Sequence, residues 1–128
     1  MRPNNVLNFW FEHLTPTQWF KKDPETDESI RIKFADLLES ASKGETSHWR
    51  ETSLGRLAEI IVLDQFSRNI YRDKPEAFSN DKPALVLAQE LVILGLDKEI
   101  PVKMRAFAYM PYMHSESKKI QEIGRAHV

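Results

Sequence analysis

The chain has 128 residues, a formal net charge of −1, 41% hydrophobic and 29% charged residues, and no cysteine. That length suits one domain with a real core, and the balanced charge argues against a general nucleic-acid or anionic-membrane binder. Without cysteine there are no disulfides, thiolate metal sites or cysteine nucleophiles, which fits an expected cytoplasmic location.

Helical periodicity dominates. Val6, Leu7, Trp10, Phe11 and Leu14 mark a first helix from about Asn5, closed by Pro16. A second is capped by Asp23 with Pro24 at its first position, and Glu25, Asp27 and Glu28 place negative charge at the positive end of its dipole. Ile30, Phe34, Leu37, Leu38 and Ala41 form its apolar stripe, and Lys43-Gly44 ends it. A third runs from Ser53 as cap to about Tyr71. It is apolar on more than one side through Leu54, Leu57, Ala58, Ile60, Ile61, Val62, Leu63 and Phe66, so it is expected at the centre. A fourth spans about Asp81 to Leu94 and stops at Gly95. A fifth starts at Pro101, and Pro111 is expected to break or kink it. Ser115 is read as the cap of a sixth. No strand alternation persists, and the short loops favour antiparallel neighbours, so the expected fold is all-α, built of antiparallel helix pairs.

Residues 1–122 read as a single helical domain. Ile123-Gly124-Arg125-Ala126-His127-Val128 interrupts the last pattern as it begins and resembles the translation of a common sequencing adapter. Residues 123–128 are therefore expected to be a non-native tail on a domain cut short.

The candidate chemistry sits on the third helix. Asp64, Arg68 and Arg72 lie four apart, as do Gln65 and Asn69, so a regular helix carries all five on one face. Asp64 can hold the Arg68 guanidinium in one direction, and a fixed guanidinium suits a carboxylate or phosphate. Such a pair also serves simply to tie helices together. Arg105 either joins this cluster or points to water. Around Pro111, His114 is a candidate acid–base residue, and Glu116 a weaker one, because two positions along a helix is the wrong face for pairing. Ser115 reads as a cap rather than a nucleophile. His13, His48, His114 and His127 are scattered, with no metal-ligating spacing. No cofactor motif is present, and no Gly-rich phosphate loop. Trp10, Trp19, Phe20 and Trp49 read as packing aromatics.

Trp19-Phe20-Lys21-Lys22-Asp23, Leu63-Asp64-Gln65-Phe66-Ser67-Arg68-Asn69-Ile70, Ala77-Phe78 with Asp81, and Tyr109-Met110-Pro111-Tyr112-Met113-His114-Ser115-Glu116 occur in an order that resembles the bacterial family labelled domain of unknown function 924. The resemblance spans Val6 to about Gln121. It implies a fold similar to tetratricopeptide-type helix pairs and further helices beyond this chain, and it brings no activity or catalytic residues. Two functions follow. One is a helical module whose groove takes a protein or peptide. The other is an enzyme or small-molecule binder for an anionic ligand, with Arg68, Arg72 and Arg105 holding the anion and His114, Glu116 or Asp64 moving a proton. The second requires the polar helix face and the His114 region to converge.

Overall fold

The computed structural model describes residues 1–128, and every regular element in it is helical. Helix α1 (Pro3–Asn8) widens into a π turn at Phe9–His13, where the Leu14 amide donates to the Phe9 carbonyl at 3.1 Å. The short α2 (Pro16–Phe20) follows; its five residues are too few to show a period. Its Thr15 cap is closed by the Gln18 side chain, which accepts from the Thr15 amide at 2.8 Å. The Trp19 indole donates to the Trp10 carbonyl at 2.8 Å and stacks on the Trp10 ring.

Helix α3 (Pro24–Ser42) starts as its residues predict. Asp23 accepts from the Glu25 amide at 3.1 Å, and Ile30, Phe34, Leu38 and Ala41 are buried at helical spacing. Gly44, at φ 81°, reverses the chain after it. A 3₁₀ turn (Ser47–Glu51) leads to α4 (Ser53–Ile60), whose cap is Thr52 rather than Ser53; Thr52 Oγ1 accepts from the Gly55 amide at 2.9 Å. Helix α4 continues as a π turn (Ile61–Phe66) and then α5 (Ser67–Ile70). The expected central helix is therefore real, with Leu57, Ala58, Ile60, Ile61, Val62 and Phe66 buried, but its middle is wider than an α-helix. Phe34 stacks on Phe66 at 4.7 Å between centroids, and Trp10 meets Phe107 edge to face at 5.4 Å, which joins the Phe9–His13 turn, α3, the Ile61–Phe66 turn and α7 in one core.

A 3₁₀ turn (Pro75–Phe78) precedes α6 (Asp81–Ile93), and another (Leu96–Glu99) precedes α7 (Val102–Met113). Pro111 does not break α7. Its missing N–H removes one bond in the last turn, and the His114 amide closes that turn onto the Met110 carbonyl at 3.0 Å. Helix α8 (Lys118–His127) is capped by Ser117, not Ser115; Ser117 Oγ accepts from the Ile120 amide at 3.3 Å. The helical pattern does not stop at residue 123. Gly124 is buried where α8 meets α7, and a Cβ there would lie 2.5 Å from that of Tyr112.

Two carboxylates that no sequence pattern singled out are buried in this frame. Glu59 accepts from Thr46 Oγ1 at 2.8 Å and from Arg50 Nε and Nη2 at 2.8 and 3.0 Å, which fastens the Ser47–Glu51 turn to α4. Asp97 accepts from the Tyr109 hydroxyl at 2.7 Å, and burial with this carboxylate beside it pushes the Tyr109 phenol up to about 12.

Gly55 gives the sharpest packing test. A Cβ at this position would stand 2.0 Å from the Trp49 carbonyl oxygen, a backbone atom that cannot swing aside. In an open helix, Gly→Ala stabilises by up to about 1 kcal/mol. Here the clash dominates, and Gly55→Ala is expected to cost roughly 2 kcal/mol, measured by urea unfolding. An unchanged or raised midpoint contradicts the packing described.

A candidate acid–base site built on Asp64

The π turn places Asp64 inside the protein, where an unpaired carboxylate is very unfavourable. Donors from two regions of the chain meet it. Arg68 Nη1 donates to Asp64 Oδ1 at 3.1 Å and to the Asp64 carbonyl at 2.9 Å. Gln65 Nε2 donates to Oδ2 at 2.9 Å. His114 Nδ1, fifty residues further on at the end of α7, lies 2.8 Å from Oδ1. Both carboxylate oxygens are thus already acceptors, so the imidazole must supply the proton of its bond. That fixes Nδ1 as N–H and leaves Nε2 as the lone-pair nitrogen of the neutral ring. The His114 side chain is 25% exposed.

The five residues expected on one face do not act as one set. Asp64 and Arg68 keep their i,i+4 contact, and the rest of the face divides between two partners. Arg68 forks onto Asp81, the first residue of α6, through Nη1–Oδ1 at 2.9 Å and Nη2–Oδ2 at 3.1 Å. The Phe78 ring lies over its guanidinium at 5.3 Å. Arg72 forks instead onto Asp27 in the first turn of α3, with Nε–Oδ2 at 2.6 Å and Nη2–Oδ1 at 3.1 Å, and Asn69 Nδ2 adds a bond to Asp27 Oδ1 at 2.9 Å. The hydrogen bonds it donates to Asp27 raise the Arg72 guanidinium above its ordinary range, against the opposing effect of burial. In both clamps the carboxylate lies at a helix N-terminus, where the dipole favours it.

Arg105 lies outside the cluster. Its guanidinium donates to the carbonyls of Ile100, at 2.9 Å from Nη2, and Lys98, at 3.2 Å. Glu116 is exposed in the loop between α7 and α8. No group of three or more His, Cys, Asp or Glu side chains stands in metal-ligating geometry. The partners Asp27 and Asp81 are not legible as such in the sequence: Asp27 reads as a dipole charge, Asp81 as a helix start and part of the family resemblance, and the arginine facing each is set by the tertiary fold.

A family model described as bacterial protein of unknown function (DUF924) matches residues 6–128. The chain belongs to the DUF924 family. This DUF924 domain is also similar to the solved structure of a protein of unknown function from Agrobacterium tumefaciens. The two share 29% identity with a TM-score of 0.92, over 98% of this chain and 70% of that one. A search of curated proteins finds no match. No helix is long and apolar enough to cross a membrane.

The Asp27–Arg72 clamp is testable by a double-mutant cycle. With Asp27→Ala, Arg72→Ala and the double variant, unfolding free energies are expected to give a coupling of about 1–2 kcal/mol. A coupling near zero would mean that the pair behaves as a solvated surface contact.

Proposed function

We propose that this domain binds a small anionic ligand and acts on it by proton transfer through His114. The observation that supports this reading is the shared oxygen: Asp64 Oδ1 accepts from both His114 Nδ1 and Arg68 Nη1. The polar helix face and the His114 region, which sequence left apart, therefore converge, as an acid–base site requires and a partner-binding face does not. Asp64 is the positioning residue. It orients the ring, keeps the proton on Nδ1, and stabilises the imidazolium that forms when Nε2 takes a proton from the ligand. Arg68, held from three sides, keeps a positive charge next to this pair without moving. The location of Asp64 in a π turn adds support, since such turns concentrate at functional sites. Glu116 and Arg105 take no part in the proposed step.

The test is a thermal-shift screen of the purified domain against small carboxylates and phosphate esters, followed by product analysis on each compound that binds. A ligand specific for the native state at a hundredfold excess over its Kd stabilises by about 2.7 kcal/mol. His114→Gln is expected to keep the fold by circular dichroism and to lower turnover of the hit by roughly 100-fold or more. Turnover that survives His114→Gln, or a panel that leaves the native protein unshifted, removes the proposal.

A further inference from the structure

Next to Arg68, between α5 and the Pro75–Phe78 turn, lies an open groove of about 600 Å³ lined by Arg68, Arg72, Asp73, Lys74, Pro75, Ala77 and Phe78. We infer that this groove is a recognition cleft for an anionic group carried on a flat apolar ring, that is, an aryl phosphate or aryl carboxylate. The inference rests on the anionic-ligand reading above and supplies its substrate class.

Three features carry it. The first is charge. Arg68 and Arg72 are each forked by a carboxylate, Asp81 and Asp27, and Asp73 is engaged by Lys22 Nζ at 3.1 Å, so Lys74 is the lining cation whose charge no ion pair offsets. The second is donor capacity. The fork to Asp27 uses Nε and Nη2 of Arg72 and leaves Nη1 without a protein partner, and Lys74 makes no ion pair. Two donors, one of them with its direction set by a clamp, therefore remain for an incoming oxyanion. The third is the ring. Phe78 is 61% exposed although large and apolar, and it lies over the Arg68 guanidinium at 5.3 Å. One face of a ring that is already half of a cation–π pair is the surface on which a second flat group stacks. Asp73, in the left-handed region at φ 67°, turns the chain so that Lys74 and Phe78 come back along α5 and line the same groove.

The connection to His114 runs through one side chain. Arg68 lines the groove and, through Nη1, shares Asp64 Oδ1 with His114. A ligand seated here lies against the arginine that borders the acid–base pair.

The test is calorimetric titration of the full chain with phenyl phosphate, inorganic phosphate and phenol, using Lys74→Glu, Phe78→Ala, Phe78→Tyr and His114→Gln. Phenyl phosphate is expected to bind more tightly than either fragment. Lys74→Glu, an exposed substitution with no packing role, should weaken it about tenfold, with a loss that shrinks in high salt. Phe78→Ala should bring phenyl phosphate down to the level of inorganic phosphate, about five-fold weaker, while Phe78→Tyr restores it. Equal affinity for phenyl phosphate and inorganic phosphate, no binding by the native chain, or indifference to both Lys74→Glu and Phe78→Ala overturns the inference. His114→Gln separates the two proposals through turnover: binding that depends on Lys74 and Phe78 reads the cleft, and loss of turnover in His114→Gln reads the acid–base step. If the groove variants lose binding while turnover ignores His114, the cleft stands and the acid–base reading falls.

Discussion

A carboxylate that the fold has taken out of water imposes its needs on everything around it. Asp64 is fully buried in the π turn of the central helix, and the cost of desolvating it is met only because Arg68, Gln65 and His114 all donate to it. Each donor carries a structural consequence. Arg68 must sit four residues on, with its other edge on Asp81, which sets where α6 begins. His114 must arrive at the end of α7, which requires α7 to continue through Pro111 to Met113 and stop there. The Asp27–Arg72 clamp does for α3 what Asp81 does for α6, so α3 and α6 both point their N-termini at the C-terminal end of the central helix. Hydrophobic packing of Trp10, Phe34, Phe66 and Phe107 makes the domain compact, and the Asp64 contacts with the two arginine clamps tie α3, α6 and the end of α7 to the central helix.

The helices were legible in the sequence because each signal is local. The stripe Ile30–Phe34–Leu38–Ala41 and the Asp23-Pro24 start follow directly from helix geometry and capping, and both hold. The errors lie where local signals are weak or tertiary contacts decide. Helix α2 is too short to show a period, and Thr52 and Ser117, rather than Ser53 and Ser115, took the caps because each choice between neighbouring hydroxyls depends on the entering chain direction. Pro111 is tolerated because it falls in the last turn and only one bond is lost. The π turn at Ile61–Phe66 could not be read from residue types, since no propensity favours the wider turn.

The same divide separates the parts of the site. That Asp64 and Arg68 pair was legible, being four residues apart in one helix. That His114 completes them was not: fifty residues intervene, and only packing of α7 against the central helix brings the ring to the carboxylate. Arg105, which sequence left either in the cluster or pointing to water, donates to the carbonyls of Ile100 and Lys98 instead. Sequence names Asp64, Arg68 and His114 separately, and the tertiary fold is what brings the His114 ring to the Asp64 carboxylate. The cluster spans the Ile61–Phe66 turn, α5, the start of α6 and the residue that follows α7, all within the residues that match the DUF924 family model.

The proposed role of His114 depends on whether Asp64 sets the tautomer of its ring. Nitrogen NMR of the imidazole side chains measures this directly, through the bonded proton and the shift of each ring nitrogen. With the ring neutral, the account predicts that His114 carries its proton on Nδ1 and presents an unprotonated Nε2, and that Asp64→Ala abolishes this preference. A neutral His114 protonated on Nε2 in the native domain, or one whose tautomer ignores the loss of Asp64, would contradict it.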